Sequence, residues 1–172
     1  YNINMDLIAG LPGDTLESFT DTMDRILQLD PECITVHTLA LKRSSRIFQD
    51  ELASLRADAE TAARMLDYAG QALTNGGYIP YYLYRQSRMV GNLENTGWSK
   101  PGFESLYNVF IMDETHTILA CGAGAVSKVK DPYSNDLERI FNFKYPYEYI
   151  SRFPEMLMRK ERVKEIYEKL QR

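Results

Sequence analysis

The stretch INMDLIAGLPGDTLESFTDTMDRILQLDPECITVHTLAL, residues 3–41, decides the fold. Residues 3–9 are typical of a largely buried strand, and the Gly- and Pro-rich residues 10–13 break it. A helical pattern follows, and residues 33–41 form a second apolar strand pattern. A strand–helix–strand unit predicts two parallel strands that are joined by a right-handed crossover.

The helix of this unit has a clear start, stripe and stop. Asp14 is predicted as its N-cap, with Glu17 completing a capping box. Asp30-Pro31 is expected to end it. The apolar residues at helical spacing, which predict the buried face, are Leu16, Phe19, Met23, Ile26 and Leu27.

The next segments repeat the alternation. Residues 42–57 are polar and are interpreted as a loop with a short helical piece, and residues 58–74 carry an apolar helical stripe. The strand predicted at 78–86 contains Pro80, which favours a position near a sheet edge. The order β-α-β-α-β indicates an α/β fold, part of a (β/α) barrel with a ligand-binding mouth. Three strands cannot close a barrel, so we expect open edges and self-association through them.

The pattern changes after residue 86. A Gly-, Asn- and Ser-rich connection is predicted first, then strands at 106–112 and 115–121, then an aromatic strand running into a turn at Tyr145-Pro146. From about residue 155 an amphipathic terminal helix is predicted. We therefore divide the chain into barrel units, 1–86, and a small mixed β/α extension, 87–172.

Composition excludes several functions. The 172 residues are 44% hydrophobic, carry a net charge of -4 and contain no long Lys/Arg cluster, which argues against a nucleic-acid partner. No apolar run is long enough for membrane insertion. Cys33 and Cys121 match no metal spacing, and a reduced, cytoplasmic protein is expected. His37 and His116 have no partner ligands in sequence, so both are interpreted as structural and no metal site is assigned.

Asp6 is the first candidate for chemistry, because an unpaired carboxylate in an apolar strand is costly to desolvate. Side-chain alternation places it on one face with Asn4 and Ile8. Near the mouth of a parallel sheet, this carboxylate can accept hydrogen bonds from ribose hydroxyls or from an ammonium group. A structural aspartate bonded to backbone amides or to a lysine explains the pattern equally well.

Two glycine motifs are weaker signals. GLPGDT, residues 10–15, is best explained as a strand-to-helix turn, since acidic residues already occupy the helix N-terminus. CGAGAVS, residues 121–127, lacks a full G-x-G-x-x-G pattern. Its small residues, like Ala40 at the end of the second strand, allow close approach to another strand or to a flat ligand.

Four segments in a fixed order carry a family resemblance. They are INMDLIAGLPGDTLESF (3–19), ITVHTLAL (34–41), NTGWSKPGFESLYN (95–108) and ACGAGAVSKV (120–129). Together they resemble the oxygen-independent coproporphyrinogen III oxidase and dehydrogenase-like branch of the radical S-adenosylmethionine (SAM) superfamily. The resemblance extends over most of the chain.

The resemblance implies a C-terminal portion of a partial (β/α) radical SAM barrel. In this family a [4Fe-4S] cluster on a C-x-x-x-C-x-x-C loop cleaves SAM, and the radical formed leads to oxidative decarboxylation of coproporphyrinogen III propionates to vinyl groups. An electron donor is a further implied partner. This sequence has no such cysteine loop. The resemblance therefore implies cluster ligands in an N-terminal part outside this chain, and a chain that is inactive alone.

The resemblance also implies roles for individual residues. Asp6, Ala40 and Val126 match SAM-contacting positions. Glu94, Asn95 and Lys100 are candidates for a porphyrinogen-binding mouth. Two alternatives stay open: a heme chaperone of the same superfamily, and a nucleotide-binding α/β module.

Overall fold

The computed structural model describes residues 2–40, 59–85 and 90–170. Internal packing divides the chain into two compact units, Tyr1–Asn108 and Val109–Arg172. The predicted loop and helical piece at 42–57 lie outside the described residues.

The first unit is built on a four-stranded sheet. Its strands are β1 (Asn4–Ala9), β2 (Cys33–Thr38), β3 (Ile79–Tyr84) and β4 (Asn95–Ser99), in the spatial order β1-β2-β4-β3. β1 and β2 pair in parallel, with Asp6 opposite Thr35, which confirms the predicted strand–helix–strand unit. β3 lies at an edge of the sheet, as Pro80 predicted.

β4 corrects the sequence prediction, which treated its residues as an irregular connection. It lies between β2 and β3 and pairs antiparallel with both. The strand is short and contains Gly97, which hid its alternation. β3 consequently runs parallel to β2 without being its neighbour.

Two helices pack on one face of this sheet. They are α1 (Leu16–Leu29) and α2 (Ala59–Asn75), and the predicted apolar stripes of both face the core. The buried core residues include Leu7, Met23, Ile34, Val36, Met65 and Leu73. Because α1 and α2 cover the same face, neither helix covers the opposite face of the sheet.

The start of α1 differs from the prediction. Thr15, not Asp14, is the N-cap: its Oγ1 accepts from Ser18 N at 3.1 Å, and Ser18 Oγ accepts from Thr15 N at 3.0 Å. Asp14 instead accepts from the backbone N–H of Thr15. Glu17 therefore falls one position too early to complete a capping box. The helix ends at Asp30, in the left-handed region.

The later elements include two corrections. The residues predicted as a strand at 106–112 form a helix, α3 (Leu106–Asp113). Those predicted at 115–121 pair only through a bridge between Ile118 and Lys128. A short apolar run with β-branched and aromatic residues does not distinguish a strand from a helix by periodicity.

The second unit contains a two-stranded antiparallel sheet, β5 (Val126–Lys130) and β6 (Leu137–Phe141), followed by α4 (Pro146–Ser151) and α5 (Phe153–Leu170). The terminal amphipathic helix is confirmed, with Met156 buried in a core that also contains Val129, Ile140 and Phe143. The guanidinium groups of Arg152 and Arg159 lie 4.1 and 4.0 Å from the Phe143 ring centroid.

β4 belongs by hydrogen bonding to the sheet of the first unit, which extends to Asn108. The division into barrel units at 1–86 and an extension at 87–172 stays a prediction about domain organisation. Among the described residues, no helix combines the length and apolarity needed to cross a membrane.

Candidate functional site

The candidate site lies on the face of the first unit's sheet opposite α1 and α2. Alternation and register place polar side chains of β1, β2 and β3 side by side on this face. We call six of them the Asp6 network: Asn4, Asp6, Thr35, His37, Tyr82 and Tyr84.

Asp6 is the centre of this network. Its Oδ1 accepts from Asn4 Nδ2 at 2.6 Å, and its Oδ2 lies 3.5 Å from His37 Nε2. The side chain is 58% exposed. The sequence analysis expected a carboxylate that is costly to desolvate; instead, Asp6 faces solvent and meets two polar neighbours rather than the core.

His37 connects the carboxylate to a phenol. Its Nδ1 lies 3.2 Å from the Tyr84 hydroxyl, with the two rings edge to face. The tautomer that satisfies both contacts carries its proton on Nε2, toward the Asp6 carboxylate, and accepts from Tyr84 at Nδ1. Tyr84 and Asp6 thus contact the two different nitrogens of the His37 ring.

Tyr82 continues the network on the other side. Its hydroxyl lies 3.1 Å from Thr35 Oγ1, which itself donates to Asn4 Oδ1 at 3.2 Å. Gly97 makes this reach possible, because a Cβ there would lie 1.9 Å from Tyr82 Cε1. Burial raises the pKa of Tyr82, so this phenol stays protonated at neutral pH.

The donors around Asp6 leave it with unused acceptor capacity. A carboxylate has about four lone-pair sites, and the network supplies one neighbour to each oxygen. Asn4 on β1 and His37 on β2 already hold this exposed carboxylate in place. A ligand with hydroxyl or ammonium donors can therefore bind it without reorganising the site. The arrangement is suited to binding a polar ligand rather than to nucleophilic attack.

The other predicted SAM contacts lie in different places. Ala40 is half-buried just after β2, where Leu39 N donates to Ala9 O at 3.0 Å, so it lies at the carboxyl end of the same two strands as Asp6. Val126 is the half-buried first residue of β5 in the second unit. The first unit thus places Asp6 within β1 and Ala40 just beyond the end of the neighbouring strand β2.

The three predicted substrate residues are not brought together. Glu94 accepts from Arg85 Nη2 at 2.7 Å, and the buried Asn95 accepts from Thr38 N at 2.7 Å, both at the carboxyl end of β2. Lys100 lies at the other end of β4, where its Nζ binds the carboxylate of Asp30 at 2.8 Å. These three roles stay predictions.

The sequence analysis missed four members of the Asp6 network. His37 was interpreted as structural, and Thr35, Tyr82 and Tyr84 were not singled out. Their signal was the period-2 alternation of polar residues along β2 and β3. No group of three or more His, Cys, Asp or Glu side chains suited to a metal ion occurs in the part of the chain that the structure describes.

Sequence comparison finds relatives that are much longer than this chain. No family model matches. The chain is 43% identical over 152 residues to the oxygen-independent coproporphyrinogen-III oxidase-like protein HemZ of Bacillus subtilis, covering 88% of this chain and 30% of that protein. It is 26% identical over 149 residues to the heme chaperone HemW of Haemophilus influenzae, covering 87% of this chain and 35% of that protein.

Structural comparison agrees with these relatives. The fold matches coproporphyrinogen III oxidase (HemN) from Escherichia coli, a radical SAM enzyme, with a TM-score of 0.59 and 22% identity. The match covers 90% of this chain and 34% of that one. The chain spans about a third of the length of the proteins it matches, consistent with a C-terminal part of that fold. Together, the two comparisons support a radical SAM coproporphyrinogen oxidase-like family for this chain.

Proposed function

We propose that this chain is the C-terminal part of a radical SAM enzyme of heme biosynthesis, which oxidatively decarboxylates coproporphyrinogen III propionates to vinyl groups without oxygen. The proposal rests on the resemblance to HemZ and on one structural observation. That observation is the exposed Asp6 carboxylate, held by neighbours on two strands of the sheet face opposite α1 and α2.

The donor set of the Asp6 network fits SAM. Asp6 offers free carboxylate lone pairs to ribose hydroxyls or to the ammonium group, and small Ala40 allows close approach just beyond the carboxyl end of β2. Val126 is kept as a candidate SAM contact on the strength of the resemblance alone. When bound, SAM supplies the 5′-deoxyadenosyl radical that abstracts hydrogen from the substrate.

The chain does not fit an iron–sulfur cluster. Cys33 is buried and Cys121 is exposed in the other unit, and cluster ligation requires several thiolates at one place. We propose that the ligands come from the remainder of a full-length family protein. Anaerobic iron reconstitution of this chain should then give no cluster absorbance, whereas cluster formation on Cys33 and Cys121 would contradict the proposal.

The porphyrinogen mouth is proposed around Glu94 and Asn95. Glu94 forms an ion pair with Arg85 at the carboxyl end of β2, near Ala40 in the fold. The Arg85 guanidinium is a suitable partner for a propionate carboxylate. Lys100 is kept as a candidate on the strength of the resemblance alone, since its ammonium is engaged by Asp30. An electron donor remains part of the proposed reaction.

Product analysis tests the reaction. A full-length family protein containing this chain is reconstituted anaerobically and incubated with SAM, a low-potential reductant and coproporphyrinogen III. We expect vinyl-bearing porphyrinogen products and 5′-deoxyadenosine. Absence of vinyl products with an intact cluster would contradict the enzyme proposal.

A heme chaperone is the second candidate, because two of the relatives are heme chaperones. Stable heme binding by the same protein without decarboxylation would favour it. A nucleotide-binding module is a third, and would be favoured by binding of ATP but not of SAM. A cytoplasmic location, supported by two free thiols, belongs to the same proposal.

A further inference from the structure

The second unit contains a cavity that the proposed function does not use. Its volume is about 780 Å³, and it lies between α5 and the segment 117–121. Its wall is mostly apolar and includes Leu119, Val163 and Tyr167. The size lies in the range of about 300–1,000 Å³ that is typical of small-molecule sites.

One cation lies in this wall without an acidic partner. Lys160 Nζ donates to Ala120 O at 2.7 Å and to Ser127 Oγ at 2.6 Å. Within the described residues, no carboxylate forms a salt bridge with it. Burial lowers the pKa of Lys160 from its ordinary value. An ammonium group has three N–H donors, so one donor remains for a ligand.

The neighbouring charges do not supply the missing partner. Glu161 and Lys164 also line the cavity, where Lys164 Nζ lies 3.9 Å from Glu168 Oε1 and the Lys164 side chain is 74% exposed. Lys160 is thus the less exposed of the two lysines in the wall. A hydrogen bond from an ammonium group to a carboxylate is stronger than one between neutral groups.

We propose that this cavity binds an apolar organic acid, whose carboxylate accepts from Lys160 and whose hydrocarbon or ring body lies against Leu119, Val163 and Tyr167. Of the ligand classes, an organic acid is the one that both buries the apolar wall and supplies the absent counter-charge. The inference is independent of the reaction proposed for the sheet of the first unit.

Alkylation of Cys121 reports whether the cavity is occupied, because this exposed thiol lies in the cavity wall. The other cysteine, Cys33, is buried. The rate of Cys121 alkylation by iodoacetamide is measured on the full chain with increasing decanoate, and with decanol as the uncharged probe of the same body. We expect decanoate to slow alkylation saturably and decanol to do so much more weakly. Equal protection by both, or none by decanoate, would overturn the proposal.

Variants assign the charge. Lys160→Met should raise the Kd for decanoate on the order of ten- to a hundredfold, the usual range for one hydrogen bond to a charged group. Lys164→Met removes a more exposed charge and should change the Kd for decanoate by roughly twofold at most. If circular dichroism shows that Lys160→Met is unfolded, Leu119→Glu tests the same point, because it places a repelling carboxylate on an exposed wall position. Unchanged affinity in the folded variant would show that Lys160 has only a structural role.

Discussion

At the scale of single residues, the candidate site depends on what surrounds Asp6. Tyr84 contacts His37, and Tyr82 reaches Asn4 through Thr35, so two aromatic side chains of β3 connect to the neighbours of a β1 carboxylate. The two phenol rings also stack, 6.3 Å apart. Removing any one member should therefore affect how Asp6 is held.

Gly97 is the residue on which this arrangement depends most. Gly97→Ala forces the Tyr82 ring away from β4, which breaks its contact with Thr35. We expect the free energy of unfolding to fall by about 1–3 kcal/mol, as for other overpacked sites. Urea denaturation measures it.

The matched control is Gly70→Ala, in the middle of α2, where the nearest atom to a new Cβ is Trp98 Cζ2 at 3.9 Å. Alanine should be neutral or stabilising there by up to about 1 kcal/mol. The double variant Gly97→Ala with Tyr82→Ala should lose less free energy of unfolding than the sum of the losses in the two single variants. A Gly97→Ala variant as stable as the unmodified chain would contradict this account.

Part of the site could be predicted from the sequence at this scale. Alternation alone placed Asp6 on a polar face with Asn4. His37 was taken as structural because its partners, Asp6 and Tyr84, lie on other strands, and only the strand order brings them together. The spatial order of the strands could not be predicted from the sequence, because β4 was not recognised as a strand.

At the scale of elements, the start of α1 provides a sharp test of the corrected cap. Thr15→Ala removes the acceptor of the Ser18 N–H. We expect a loss of about 1 kcal/mol in the free energy of unfolding, measured by urea denaturation.

Thr22→Ala is the control, because this exposed threonine lies in the same helix and its hydroxyl donates only to Ser18 O. Thr22→Ala should change the free energy of unfolding by no more than about 0.5 kcal/mol. An equal loss in both variants, or none in Thr15→Ala, would show that Thr15 is not the cap.

The elements also show where sequence patterns suffice. α1 and α2 were predicted because a long stripe of apolar residues at helical spacing indicates an amphipathic helix and no other element. β4 and α3 were not, because five and eight residues are too few for periodicity to decide. In these two places pairing partners and packing, rather than local preference, select the structure.

At the scale of the whole molecule, the sheet of the first unit ends in β1, which within the described residues pairs only with β2. Ile3 O accepts from Cys33 N and Ala9 O from Leu39 N, so the odd residues of β1 bond to β2. The backbone groups of the even residues therefore face the open side, where another strand can pair.

This edge predicts self-association of the isolated chain. We expect light scattering to show a mass that rises with concentration, and Ile8→Lys to reduce it by adding a charge to the edge strand. Leu29→Lys, an exposed position at the end of α1, is the matched control and should leave association unchanged. A monomer at every concentration would contradict the prediction.

The central claim is that the Asp6 network binds SAM, and the most direct test is the Kd for SAM measured by equilibrium dialysis. The protein is a reconstituted full-length family member that contains this chain, compared as Asp6→Asn and, for control, Asp21→Asn, an exposed aspartate of α1 paired with Arg25. Losing a charged acceptor should raise the Kd about tenfold or more in Asp6→Asn, with no change in Asp21→Asn. An Asp6→Asn protein that binds SAM as tightly as the unmodified one would contradict the claim.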